Sequence, residues 1–275
     1  MEQISRRALL AALGAAGSAA LTGCAEDEPP QEIGATTYTP AGGGSGGGSG
    51  GEEPSGSSTS GRATMVPVDL ASPDDLRDRW AAYAAMWVGA AISGGGTGPR
   101  ATEGDWIYEM EIGQWAYLVR MKDGRAVLAG QSDPDTRRDA AAEQRNRRAL
   151  LGQGPSWWGV VDDVLPATAN LGFVLGWDGT RWTRSSAAPT GGGYDSFVFY
   201  VATPEDLGQV LVRWGTNGQQ RYTGSGGARA AADTVMEQGT RVTASQLRRL
   251  GPGMRSSRLP AATAAAQAFE GRGRH

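Results

Sequence analysis

The chain has 275 residues, with 26 basic and 29 acidic side chains, a net charge of −3, one cysteine and one histidine. The lone cysteine, Cys24, excludes an intrachain disulfide framework. The lone histidine, His275, is the last residue, and its position excludes Ser-His-Asp and Cys-His catalysis and any histidine metal site.

At the start of the chain, Arg6 and Arg7 precede an uncharged stretch from Ala8 to Thr22, fifteen residues of mostly Ala, Gly and Leu. A bilayer core needs about 20 strongly apolar residues, so the spacing predicts a cleaved export signal rather than a permanent transmembrane helix. Ser5-Arg6-Arg7-Ala8-Leu9-Leu10 resembles the twin-arginine signal, which implies export of an already folded protein. Leu21-Thr22-Gly23-Cys24 resembles the lipobox of bacterial lipoproteins, which implies cleavage before Cys24 and a diacylglycerol on its thiol. Two acyl chains hold a protein stably at a membrane where one does not. The expected location is therefore the extracytoplasmic face of the cell membrane, with residues 1–23 as signal.

From Ala25 to Gly61 there are six acidic residues, no basic ones and almost no large apolar side chain. Such a segment cannot bury enough surface to offset its ordering entropy, so residues 24–64 are expected to be a disordered tether spanning about 30–36 Å. From Arg62 onward 24 basic residues face 22 acidic ones, and only Lys122 is a lysine. Residues 65–250 are long enough for one folded domain. Residues 251–275, where Arg255, Arg258, Arg272 and Arg274 face only Glu270, are expected to be a disordered basic tail.

Within the domain, SPDDLRDRWAAYAAMWVGAAIS predicts a helix with Ser72 as N-cap and Pro73 in its first turn, burying a stripe of Leu76, Trp80, Tyr83, Trp87, Val88 and Ala91. WIYEMEIGQWAYLVRMKDGRAVLAG switches to period two, with Asp123-Gly124 as a tight hairpin turn. Asp135 to Leu151 predicts an arginine-rich helix, and PSWWGVVDDVLP a short one ended by Pro166. LGFVLGWDGTRWTRS predicts a second hairpin at Asp178-Gly179, YDSFVFYVA a further strand, and Thr203-Pro204-Glu205-Asp206 a helix start. Two weaker helices are expected near Ala228 to Gln238 and Ala244 to Leu250. Hairpins among helices, without regular strand-helix-strand alternation, argue for an α+β single domain with an antiparallel sheet packed by several helices.

MWVGAAISGG, DGRAVLAG, GPSWW and LGFVLGWDGTRW together resemble uncharacterised domains of actinobacterial proteins, over about Trp80 to Arg184. That resemblance implies no activity and no site residues.

Candidate chemistry is sparse. Asp105, Glu109 and Glu111 share one face of an alternating strand, and carboxylates near aromatic rings are what glycoside cleavage needs; an exposed acidic strand face explains them more simply. The glycines of SGGGTGPRATEG sit after a helix and before a strand, the reverse of a phosphate-cradling loop, and read as a helix C-cap. The basic helix from Arg137 to Arg148 lacks the context of a nucleic-acid motif, and no nucleic acid is expected. Nine tryptophans exceed what a core of this size usually uses. Trp157 and Trp158, as consecutive residues, and Trp177 and Trp182, flanking the second hairpin turn, are the expected ligand-binding platforms. No metal and no cofactor is implied. The leading expectation is a non-catalytic binding or interaction module at the envelope, attached to the membrane through its lipid, with a glycan or protein partner. A carboxylate-dependent hydrolase of envelope polysaccharide and an immunity-type protein are the alternatives.

Overall fold

The computed structural model describes residues 64–92, 98–102, 104–110, 114–132, 139–186, 194–218, 220, 222 and 226–271. Among these, seven strands form one antiparallel sheet: β1 (Met65–Val68), β2 (Arg100–Thr102), β3 (Asp105–Glu109), β4 (Trp115–Arg120), β5 (Ala126–Gln131), β6 (Phe173–Trp177) and β7 (Trp182–Ser185). The order across the sheet is β1-β7-β6-β5-β4-β3-β2, so β2 to β7 meander in sequence and β1 closes the far edge. The α+β reading therefore holds. Both Asp-Gly turns are present: Gly124 and Gly179 take φ of 87° and 103°, which a side chain would strain, and each preceding aspartate accepts hydrogen bonds from the residues that follow it.

Alternation along the strands divides the interior in two. Ala126 and Leu128 of β5 face a large core, while Val127 and Ala129 face a small one. In β6, Phe173 and Leu175 face the large core and Val174 the small one. The small core is covered by α2 (Ala140–Gly152), a 3-10 turn at Ser156–Gly159 and α3 (Val160–Val164). Arg147 of α2 is only 6% exposed; its guanidinium donates to Asp162 at 2.7 Å and to the carbonyl of Pro166 at 2.9 Å, stitching α2 to the end of α3. This arginine of the basic helix is structural.

The large core is covered by α1 (Pro73–Gly89), α4 (Pro204–Gly215), α5 (Gly227–Gln238), α6 (Ala244–Leu250) and α7 (Leu259–Gln267). The Ser72 hydroxyl caps α1 by accepting from the Asp75 amide at 3.2 Å. The expected single stripe on α1 is too narrow, because Ala81, Ala82, Ala84 and Ala85 are buried as well. A helix buried all round must be covered by a second layer, and α7 supplies it. Ala262 lies against Gly89 at the end of α1, whereas Phe269, just beyond α7, packs on Trp80 in the middle of α1 and on Trp106 of β3. The two helices therefore run antiparallel. This corrects the expected disordered tail: residues 251–271 carry a helix whose Leu259, Ala262 and Ala266 are buried, followed by a 3-10 turn that buries Phe269, and 272–275 lie outside the described residues.

The expected strand in YDSFVFYVA is also corrected. Phe197, Phe199 and Val201 are buried at alternating positions, but the intervening amides are taken by side chains: Val198 donates to Gln114 Oε1 at 3.1 Å and Tyr200 to the Tyr108 hydroxyl at 3.2 Å. Tyr194–Ser196 forms a 3-10 turn and the Ala202 amide donates to the Phe199 carbonyl at 2.8 Å, so the segment joins no sheet among the described residues, with the Val198 and Tyr200 amides taken by side chains instead of a strand partner.

Candidate functional site

The nine tryptophans are mostly absorbed by the interior. Trp158 and Trp182 are each 1% exposed, and Trp157 and Trp177 are half-buried. Trp157 and Trp158 pack on the same small core, since a 3-10 turn separates successive side chains by about 120° instead of the 180° of a strand; their rings meet edge to face, with centroids 6.3 Å apart. Gly176 of β6 leaves the space both rings occupy. Trp177 and Trp182 form a cross-strand pair, 5.7 Å apart, but they pack on the opposite face of the sheet from Trp157. The four candidates thus form no common surface. Trp182 instead holds the chain before α1 in place, its indole donating to the Ala71 carbonyl at 2.7 Å.

The candidate carboxylates are likewise kept apart. Asp105 opens β3 and is buried, while Glu109 closes it and accepts from Arg100 at 2.9 Å. Four strand residues span about 13 Å, well beyond the roughly 5–9.5 Å that separates paired glycosidase carboxyls. Glu111 lies outside the described residues, as do Cys24, Arg6, Arg7 and His275.

The structure draws attention to a different place. A cleft of about 740 Å³ opens where the linker from β1 to α1, the first turns of α1, the approach to α4 and the last turns of α5 come together. This falls in the size range of ligand sites, about 300–1,000 Å³. Its acidic lining comes from three separate segments: Asp69; Asp75 and Asp78; Asp233 and Glu237. With Arg79 as the cation in the lining, these groups carry a formal charge of −4.

Each group has a local reason for its position. Asp75 belongs to the cap of α1 and accepts from the Ser72 hydroxyl at 2.7 Å. Asp78 accepts from Arg77 at 3.2 Å and packs against Gly239, whose φ of 48° and missing side chain let α1 come close. Asp233 accepts from the Tyr222 hydroxyl at 2.6 Å, and burial first, then this bond, pushes the Tyr222 phenol up to about 12. Asp69 and Glu237 are exposed and take part in no ion pair among the described residues.

Arg79 is 8% exposed and spans the base of the cleft. Its Nη1 donates to the Ala202 carbonyl at 2.6 Å and its Nε to the Asp75 carbonyl at 3.3 Å, so it ties α1 to the residue before the α4 cap. Burial draws its affinity for a proton down, and Asp75 opposes that. Leu70, Ala71, Ala202, Pro204 and Met236 complete the walls with apolar surface. Carboxylates at a rim above apolar walls match the side chains of lysine and arginine, which carry an aliphatic stem and a charged head. No group of three or more His, Cys, Asp or Glu among the described residues could hold a metal ion.

Comparison with family models, with curated proteins and with solved structures finds no match to this chain. The class the molecule itself defines is an α+β domain with an acidic cleft on the helical side of a meandering sheet.

Proposed function

We propose that the chain is an exported lipoprotein, acylated at Cys24 and held at the extracytoplasmic face of the cell membrane, whose folded domain is a binding module for a basic segment of a partner protein. The observation that carries this reading is the cleft at the start of α1: five carboxylates and one cation in its lining, above apolar walls, in a volume suited to a few side chains, with only Asp78 and Asp233 of the five ion-paired from outside the lining among the described residues, by Arg77 and Arg229. The Arg6-Arg7 pair, the short apolar stretch and the Leu21-to-Cys24 motif support the export and anchoring. With the tryptophans committed to the two cores, a sugar-stacking platform has less support than a charged cleft.

Titration of the protein with a short arginine- and lysine-rich peptide tests the binding. Saturable binding is expected, weakening as salt is added, and Asp69→Asn with Glu237→Gln is expected to weaken it about tenfold. These two carboxylates are exposed and cap no helix, so the fold tolerates their loss. Binding that is unchanged in the double variant would refute the assignment. Mass spectrometry of the protein extracted from cell membranes tests the anchor separately, with an acylated Cys24 expected at the mature N-terminus.

A further inference from the structure

At the other end of α1 the C-termini of three helices converge. Gly89 and Ala90 of α1 and Gly215 of α4 line a hollow of about 180 Å³ together with Asn217, Arg255 and Arg258. Leu250, the last residue of α6, lays its carbonyl against Gly215. Arg248 reaches across to Ser256, donating at 2.7 Å, which brings it beside Arg255. Between Glu237 and Glu270 the sequence has no acidic residue. None of these three arginines takes part in an ion pair among the described residues.

Arginines beside helix C-termini have a structural use, because each terminus carries about −0.5 of a charge. Here the use falls short of the number. Three C-termini and the N-terminus of α7, at Leu259, sum to about one negative charge, against three guanidinium groups. The face retains a surplus of about two positive charges. The acidic cleft occupies the first turns of α1 and this face its last. A helix of 17 residues is about 25 Å long, so the domain is electrically polarised along α1.

We propose that this arginine face docks on the anionic phospholipid surface of the membrane that holds the lipid anchor. The proposal rests on the reading of the chain as a lipoprotein. Docked in this way, the domain turns its acidic cleft away from the membrane, toward the partner it captures, and keeps the carboxylates clear of anionic headgroups that would repel them.

The test uses the mature chain, residues 24–275, carrying Cys24→Ser, which lacks the Arg6-Arg7 leader and cannot be acylated, in sedimentation with vesicles of phosphatidylcholine alone or mixed with phosphatidylglycerol. Stronger binding to the anionic vesicles, falling with added salt, is expected. Arg255→Gln and Arg258→Gln are each expected to lower the partition coefficient about fivefold, and together about 25-fold. Arg181→Gln, at the β6–β7 turn and 68% exposed, is expected to change it by less than twofold. Equal partition into both vesicles, or loss of binding as large with Arg181→Gln as with Arg255→Gln, would overturn the proposal. Because this chain carries no acyl group, such a failure would leave the acylation of Cys24 to be decided by mass spectrometry alone.

Discussion

Phe269→Ala tests whether the C-terminal segment belongs to the folded core. Phe269 is 0% exposed and packs its ring 5.7 Å from Trp106 and 6.4 Å from Trp80, centroid to centroid. Losing the transfer free energy of the ring costs about 2–3 kcal/mol. Trp80 is pinned by its hydrogen bond to the Ile107 carbonyl at 3.2 Å, so the void collapses only in part and the cavity raises the total to about 3–5 kcal/mol. For a domain of this size each kcal/mol lowers Tm by about 2–4 °C, and a fall of about 10 °C is expected in a thermal melt followed by circular dichroism. A change below about 1 kcal/mol in denaturant unfolding would refute the packing of α7 on α1 and restore the picture of a solvated tail.

Gly176→Ala is expected to destabilise the domain by more than 2 kcal/mol, because the new methyl group would occupy the space of the Trp158 indole; altered tryptophan fluorescence with a lowered denaturation midpoint would show it. Ala91→Gly is expected to stabilise by about 1 kcal/mol, since Ala91 ends α1 at a φ of 57°, a conformation that costs a residue with a side chain about that much; urea titration measures it. Burial, first among the causes, pushes both Tyr194 and Tyr222 up to about 12. Phenols raised in the folded state from a usual value near 10 add stability that is intact below pH 10 and lost as pH climbs toward 12. Unfolding midpoints should therefore fall across that window, and Tyr222→Phe should flatten part of the fall.

The elements that announced themselves in sequence are those with a strict local rule. Period-two runs around Asp123-Gly124 and Asp178-Gly179 gave the two hairpins, and the Ser72 and Thr203 caps appear where expected, each side chain accepting an amide three residues on. Local rules failed where a distant partner decides. Leu259, Ala262, Ala266 and Phe269 recur at helical spacing, but among alanines and arginines the pattern gains meaning only when α1 offers its alanine face. The segment Phe197 to Val201 alternates as a strand does, yet Gln114 and Tyr108, some 90 residues away, claim its amides. Tryptophans looked surplus because the number of aromatic residues the large core holds cannot be read from any single stretch. The cleft was invisible for the same reason. Asp75 takes the place of an ordinary first-turn acid of a helix, and nothing in sequence places Asp69 and Asp75 beside Asp233 and Glu237. The run without acids from Gln238 to Phe269 was legible, but its arginines read as solvent-facing tail until α7 was seen to fold.

The claim at the centre of this account is that the acidic cleft is where the domain binds. Backbone chemical shifts recorded by NMR while a basic peptide is added address it directly. Shifts are predicted to concentrate at residues 69–79, 202–204 and 233–237. Shifts centred instead on Trp157 and Trp177, or none at saturating peptide, would contradict it.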